Sequence, residues 1–198
     1  MHKEVYVKRI LVTIVIIFVT YSFALANYYV DGMFMINDTG DAKSQTGVAL
    51  KVSASLRNDI NIFFKPLFSQ TTEHSNSIYE TDYRQIQGLF GAEYIYSLPQ
   101  YPIAISFSAG VGISRTEIEP KDDTSGLEEL KETGMAYGLW LGGQWLLTQW
   151  VAPFIEIGYS RSLYNNDLDG ASIGGMQIAI GVRFTVWGKN KTFTSDYE

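Results

Sequence analysis

The sequence predicts an all-β protein, an eight-stranded antiparallel up-and-down transmembrane β-barrel. Three observations predict it: sustained alternation of apolar and small residues, strand faces almost free of charge, and connections that alternate in length. Segment Ile103–Ser114 shows the first two, because every second residue is apolar and the interleaved residues are only Ala, Ser and Gly. A water-facing sheet carries charged residues on its second face. Small neutral residues instead fit the inside of a narrow barrel, and the apolar row fits lipid.

Eight segments alternate with period two, which is typical of β-strands. The predicted strands are about Tyr28–Ile36, Thr46–Arg57, Ile60–Phe68, Tyr83–Tyr96, Ile103–Ser114, Gly134–Leu147, Val151–Leu163 and Ile173–Trp187. After residue 26 there is no apolar stretch near helical span length. A membrane crossing would therefore require a closed barrel, because an open sheet leaves backbone groups unpaired in lipid.

The predicted connections sort by length. Those after the second, fourth and sixth strands are short (58–59, 97–101 and 148–150), and the others are longer and polar (37–45, 69–82, 115–133 and 164–172). Short periplasmic turns and long outer loops, with both termini in the periplasm, are typical of bacterial outer-membrane barrels. An aromatic girdle is expected near the short-turn ends, formed by Tyr28, Tyr94, Tyr96, Tyr101, Trp145, Trp150 and Trp187.

The N-terminus predicts a cleaved secretory signal peptide over residues 1–26. A basic segment, Met1–Arg9, precedes the apolar run Ile10–Phe23 and an Ala24-Leu25-Ala26 cleavage site; the alternative is an uncleaved anchor helix. Cleavage removes three basic residues and one acidic residue, which leaves 12 Lys and Arg against 20 Asp and Glu. Such an acidic exported protein is a poor nucleic-acid binder. The barrel domain is expected over 27–188, with a short periplasmic tail over 189–198.

Charged residues within the predicted strands share the parity of the small, inward faces. They are Asp31, Lys51, Arg57, Lys65, Glu93, Glu156 and Arg183. On the lipid face, each Lys or Arg near the midplane would cost about 2–4 kcal/mol. We expect an interior network of ion pairs that fills the lumen, since eight strands leave room for little else. A selective pore or a catalytic carboxylate pair is the alternative.

The third long loop is strongly acidic. Its carboxylates are Glu117, Glu119, Asp122, Asp123, Glu128, Glu129 and Glu132. One interpretation is a solvated loop that repels anionic lipid. The other is a contact surface for a basic partner, or for lipopolysaccharide through divalent cations, because carboxylates are suited to calcium and magnesium.

Several stretches resemble the small OmpA-like barrels, a group that includes OmpX-type, opacity-protein and surface-antigen barrels. They are Gly47–Leu50 leading to Leu56–Ile60, Ala109–Gly112 and Pro153–Tyr159. Gly181–Val186 is similar to the closing strand that the barrel-assembly machinery recognises, although here a tail follows it. The resemblance implies a bacterial outer-membrane location. Its expected partners are outer-membrane lipid, lipopolysaccharide, the barrel-assembly machinery and a host or other extracellular ligand.

The sequence favours a non-enzymatic outer-membrane surface protein whose long loops mediate adhesion or other surface interactions on a closed scaffold. The alternatives are a structural barrel or small pore, and a lipid-modifying enzyme. Small-barrel enzymes resemble one another in using a histidine near the outer rim, and His74 lies beside Glu73, Ser75 and Ser77. That grouping is more typical of a solvated turn, so we expect no catalytic residue, no cofactor, no metal site and no nucleic-acid partner.

Overall fold

The computed structural model describes residues 27–39, 42–57, 59–73, 81–120, 129–164 and 173–187. These ranges form eight strands: β1 (Tyr28–Thr39), β2 (Ala42–Arg57), β3 (Ile60–Glu73), β4 (Thr81–Ser97), β5 (Ile103–Pro120), β6 (Leu130–Trp145), β7 (Val151–Leu163) and β8 (Ile173–Trp187). Within this part of the chain, no helix is long and apolar enough to cross a membrane.

The strands close into a barrel. Each pairs antiparallel with its neighbour in sequence, and β1 pairs with β8 from Tyr28↔Trp187 to Asn37↔Gln177. Closure removes the free edges of the sheet, so the backbone groups of the wall are paired within the wall, as lipid requires. The predicted fold class, an eight-stranded antiparallel up-and-down barrel, is confirmed.

The outer wall is an apolar belt. On β5, the outward side chains of Ile105, Phe107, Val111 and Ile113 are 42–65% exposed, and every other strand contributes similar residues. In water a continuous apolar surface of this extent would drive association; in a bilayer it faces the acyl chains. A transmembrane strand needs about 9–11 residues, whereas the strands here have 12 to 18. Their surplus projects from the membrane.

The two ends of the barrel differ. At the end that holds Tyr28 and Trp187, called the proximal end, exposed aromatic side chains gather near the short turns: Tyr94, Tyr96, Tyr101, Trp145, Trp150 and Trp187. At the opposite, distal end six of the eight strands run further than the sequence predicts. β3 continues to Glu73, β5 continues to Pro120 and β6 begins at Leu130.

Three of the four distal connections are therefore shorter than expected, and the fourth spans 164–172 as predicted. The first spans only residues 40–41 instead of 37–45, because β1 and β2 stay paired up to Thr39↔Ala42. Bounds are as predicted for β7 and β8. Backbone pairing does not depend on apolar alternation, so a strand can continue after its outward face becomes polar, as it does from Thr116 to Pro120.

Candidate functional site

The interior is packed around one large ring. Trp140 is buried, and Phe63 meets it edge-on with 6.4 Å between ring centroids. A Cβ at Gly158 would lie 2.2 Å from Trp140 Cδ1, and one at Gly138 would lie 2.5 Å from Cη2 of the same ring. The small residues that face inward on β6 and β7 thus make room for this indole.

The interior contains an ion cluster, defined as Asp31, Lys51, Lys65, Glu93, Glu156 and Arg183. Lys51 and Lys65 lie on one side of it. Lys51 Nζ lies 2.9 Å from a carboxylate oxygen of Glu93, 3.3 Å from Asp31 and 3.5 Å from Glu156. Lys65 Nζ lies 2.5 Å from Glu156 Oε1 and 4.1 Å from the centroid of the Trp140 ring. These side chains are almost fully buried.

Arg183 holds the other side of the cluster. It donates from Nε and Nη2 to the two oxygens of Asp31, at 2.8 and 2.7 Å, and from Nη2 to Glu93 at 2.9 and 3.0 Å. Its Nη1 donates to Gln144 Oε1 at 3.3 Å. The planar guanidinium suits such a fork of parallel bonds, which are the strong class of charge-assisted hydrogen bonds.

The cluster spans the lumen. In a ring of eight strands, strands four places apart are opposite, and two ion pairs join such strands: Glu93 of β4 with Arg183 of β8, and Lys65 of β3 with Glu156 of β7. Three carboxylates and three cations compensate one another, as burial of charge demands. The side chains of the cluster fill the lumen. Each carboxylate is paired with a cation, which does not favour a role in proton transfer.

The distal half of the interior is lined mainly by uncharged polar side chains, with Glu132 buried among them, and is capped by Tyr164, directly after β7. Tyr164 is buried, its hydroxyl contacts Thr116, and it lies 3.1 Å from Ser114 Oγ and 3.4 Å from Gln85 Nε2. Ile118 and Leu130 pack against the ring. The sequence places Tyr164 in the polar connection 164–172 and does not predict this role. Nothing in the sequence separates it from an exposed loop tyrosine.

One residue predicted to lie in the interior, Arg57, lies on the outside. The prediction that Arg57 faces the lumen is wrong, because its side chain is exposed. Between β2 and β3 the register passes from Ser55↔Asn61 to Arg57↔Ile60, which is a β-bulge. A bulge inserts one residue and reverses the facing of those beyond it, so Arg57 points away from the cluster.

The predicted acidic loop is in part strand. Glu117 and Glu119 lie in β5, Glu132 lies in β6, and Glu129 precedes β6; Asp122, Asp123 and Glu128 lie outside the described residues. Glu132 is buried, so its assignment to an exposed loop is wrong.

The other described carboxylates of this region pair with cations. Arg115 bridges Glu117 at 2.9 Å, Arg84 bridges Glu119 at 3.3 Å, and Lys131 pairs with Glu129. Among the residues described, no group of three or more His, Cys, Asp or Glu side chains could hold a metal ion. His74, Ser75 and Ser77 lie outside the described ranges.

A closed eight-stranded barrel with an apolar outer belt and a filled, polar interior is the fold of the small outer-membrane barrels. The chain is similar in structure to Neisserial surface protein A, at 16% identity and a TM-score of 0.56 over 81% of this chain and 96% of that one. It is similar to the Pseudomonas aeruginosa outer membrane protein OprG, at 12% identity and a TM-score of 0.53 over 82% and 97%.

A third similar structure is Ail, the attachment invasion locus protein of Yersinia pestis, solved in complex with the heparin analogue sucrose octasulfate. Identity is 15% and the TM-score 0.51, over 80% of this chain and 97% of that one. At such identities the similarity concerns the fold, and at that level the resemblance to the OmpA-like, OmpX-type and opacity-protein barrels is confirmed. No family model and no curated protein matches the sequence.

Proposed function

We propose that the protein is a bacterial outer-membrane surface protein without enzymatic activity, whose distal end faces outward and contacts partners outside the cell. The observation that carries this proposal is the difference between the interior of the barrel and its distal end. Its interior is filled by the ion cluster and Tyr164, while its distal strand ends carry exposed charged side chains. Binding residues are concentrated on exposed segments that a rigid scaffold positions.

The proposal includes the route to the membrane. Residues 1–26 act as a cleaved signal peptide, the barrel-assembly machinery inserts residues 27–188, and residues 189–198 remain in the periplasm. Lipopolysaccharide and phospholipid then cover the apolar belt. Mass spectrometry of the protein recovered from outer-membrane fractions checks this route: the expected N-terminus is Asn27, and an intact Met1 would contradict cleavage.

Charge favours a basic partner. At the distal ends of β4–β6, the described exposed or half-exposed charges comprise four acidic residues, Asp82, Glu117, Glu119 and Glu129, and three basic ones, Arg84, Arg115 and Lys131. The connecting segment adds Asp122, Asp123 and Glu128 against Lys121. A negative surface steers cationic groups toward itself and repels polyanions. The heparin analogue that Ail binds is a polyanion, so we expect a different ligand chemistry for this chain.

Cell binding by matched variants tests this function. In the test variant Asp122 and Asp123 become Asn and Glu128 becomes Gln; in the control Asp59→Asn changes a proximal turn. Bacteria that display each form are incubated with cultured epithelial cells at physiological and raised salt. We expect binding by the parent and the control that weakens as salt screens charge over about 8–10 Å, and a loss in the test variant. Equal binding by all three forms would show that the acidic segment is not the contact surface.

A further inference from the structure

A polar groove lies outside the barrel wall, at the distal ends of β2, β3 and β4. Its volume is about 370 Å³, within the range of roughly 300–1,000 Å³ typical of small-molecule sites. Hydroxyl, amide and charged side chains line it, among them Ser44, Thr46, Gln70, Thr72, Asp82 and Arg84. The groove is separate from the interior, since Ser44, Thr46, Gln70 and Arg84 are exposed on the outside of the wall.

The register arranges these groups in two rows. Thr46, Gln70 and Arg84 are paired across the three strands, and Thr72 pairs with Asp82 in the row beyond them. Thr72 donates from Oγ1 to Asp82 Oδ1 at 2.7 Å. Donors and acceptors therefore lie side by side on paired strands, and the Thr72 hydroxyl orients the Asp82 carboxylate.

The charges of the groove are compensated. Arg84 Nη1 lies 3.3 Å from Glu119, and Nη2 lies 3.9 Å from Asp82. One cation faces two carboxylates, so the groove offers no surplus positive charge to a phosphate or sulfate. It suits the uncharged, hydroxyl-rich part of a ligand, since each hydroxyl both donates and accepts.

The groove lies directly above the apolar belt. One outward position closer to the membrane, the same strands carry Val48, Phe68 and Ile86, which are paired with one another and are 38–56% exposed. A ligand in the groove would be at the level of lipid headgroups. We propose that the groove binds the saccharide part of a glycolipid in the surrounding leaflet, with sugar hydroxyls donating to Asp82 and accepting from Arg84 and Gln70.

Calorimetric titration of the full-length protein, refolded in detergent micelles, tests this inference. The probes are rough-type lipopolysaccharide, the core oligosaccharide released from it, and phosphatidylglycerol as a lipid without sugar. The test variants are Asp82→Asn and Gln70→Ala. The control is Arg115→Gln, which removes an exposed arginine of the same barrel end that does not line the groove.

We expect saturable binding of lipopolysaccharide, weaker binding of the oligosaccharide and none of phosphatidylglycerol. Loss of a hydrogen bond to a charged group should raise the dissociation constant of the Asp82→Asn variant roughly tenfold, while Arg115→Gln leaves it unchanged. Equal weakening by Arg115→Gln, or equal binding of phosphatidylglycerol, would overturn the saccharide site. Oligosaccharide binding as tight as that of lipopolysaccharide would overturn the assignment to a membrane lipid.

This inference rests on the proposed outer-membrane location only for the source of the ligand. Cell fractionation tests that location, and the titration in micelles tests the groove, so the failure of one is distinguishable from the failure of the other.

Discussion

Arg183 joins three strands through one side chain. Its guanidinium reaches Asp31 on β1, Glu93 on β4 and Gln144 on β6, all from β8. Lysine could supply the charge but not the planar fork that engages two carboxylates together. Replacing Arg183 should therefore change the free energy of unfolding by an amount that is simple to measure.

The first prediction is that Arg183→Leu destabilises the barrel by about 3–5 kcal/mol, because it leaves the buried carboxylates of Asp31 and Glu93 short of a cation. Urea unfolding in lipid vesicles, followed by tryptophan fluorescence, measures the change. Arg57→Leu is the matched control, and we expect it to alter the free energy of unfolding by no more than about 0.5 kcal/mol, since its side chain is exposed. Equal effects of the two substitutions would refute the stabilising role of the cluster.

The second prediction concerns the space beside Trp140. Gly158→Ala places a Cβ 2.2 Å from Trp140 Cδ1 and 2.4 Å from the Leu139 carbonyl oxygen, and overpacking of this kind costs about 1–3 kcal/mol. A Cβ at Gly143 would meet nothing within 4 Å, so Gly143→Ala serves as the control. The same unfolding assay compares them. An unchanged Gly158→Ala protein would mean that the indole has room to move.

At the scale of elements, the hairpin of β5 and β6 extends past the membrane as an ordered ladder. Glu117 pairs with Lys131 and Ile118 with Leu130, and the latter two pack on Tyr164. The hairpin thus supports the distal cap of the barrel.

The third prediction follows from that packing. Replacing residues 121–128 with a Gly-Ser linker of equal length should leave folding intact, because loops tolerate change. Deleting residues 117–131 should lower stability, because it removes both side chains that cover Tyr164. The measurement is the temperature at which the folded band converts to the unfolded band on a denaturing gel. Similar temperatures for the two variants would argue against a supporting role for the hairpin.

The fourth prediction addresses Tyr164 as a cap. Because the chain has no cysteine, Ser114→Cys introduces a single thiol in the interior beside the Tyr164 hydroxyl. We expect slow reaction with a membrane-impermeant maleimide, and faster reaction when Tyr164→Ala is added. Ser97→Cys near the proximal turn controls for a general loosening of the barrel. If Tyr164→Ala leaves the labelling rate at residue 114 unchanged, the tyrosine does not restrict access.

The sequence predicts which side of the wall each residue of a strand faces better than it predicts where the strand ends. Alternation within the membrane predicts which side of the wall Lys51, Glu93 and Arg183 occupy, because a slip of one residue would expose the whole set to lipid. It cannot predict where β5 ends, since Thr116–Pro120 pairs with β4 without apolar alternation. The bulge that turns Arg57 outward has no marker in the sequence.

The partners of the interior charges were also beyond prediction from the sequence. Which side chains meet across the lumen depends on how far each strand is staggered against the next, and that stagger is a property of the closed barrel. The pairing of Lys65 with Glu156, 91 residues apart, is the clearest case.

At the scale of the whole molecule, two obstructions lie in series along the lumen. The ion cluster joins opposite walls, and the capped, hydrogen-bonded layer around Tyr164 lies distal to it. A barrel of eight strands is just wide enough for its own side chains.

The fifth prediction is therefore that the refolded protein carries no steady ionic current across a planar bilayer. The double substitution Lys65→Ala and Arg183→Ala removes the two ion pairs that join opposite strands. If the gel assay shows that this variant stays folded, we expect brief current openings across the bilayer. A wide, ohmic conductance of the parent protein would favour the pore alternative.

The interior ion cluster also bears on the order in which the protein assembles. Its members come from β1, β2, β3, β4, β7 and β8, and Asp31 lies 152 positions from Arg183. Asp31 and Arg183 meet only when β8 pairs with β1. Contacts so distant in sequence form late, because the entropy of closing the intervening chain must first be overcome. An incomplete sheet would hold Asp31 and Glu93 in the membrane without their arginine, so we expect partial barrels to be unstable and insertion to be all-or-none.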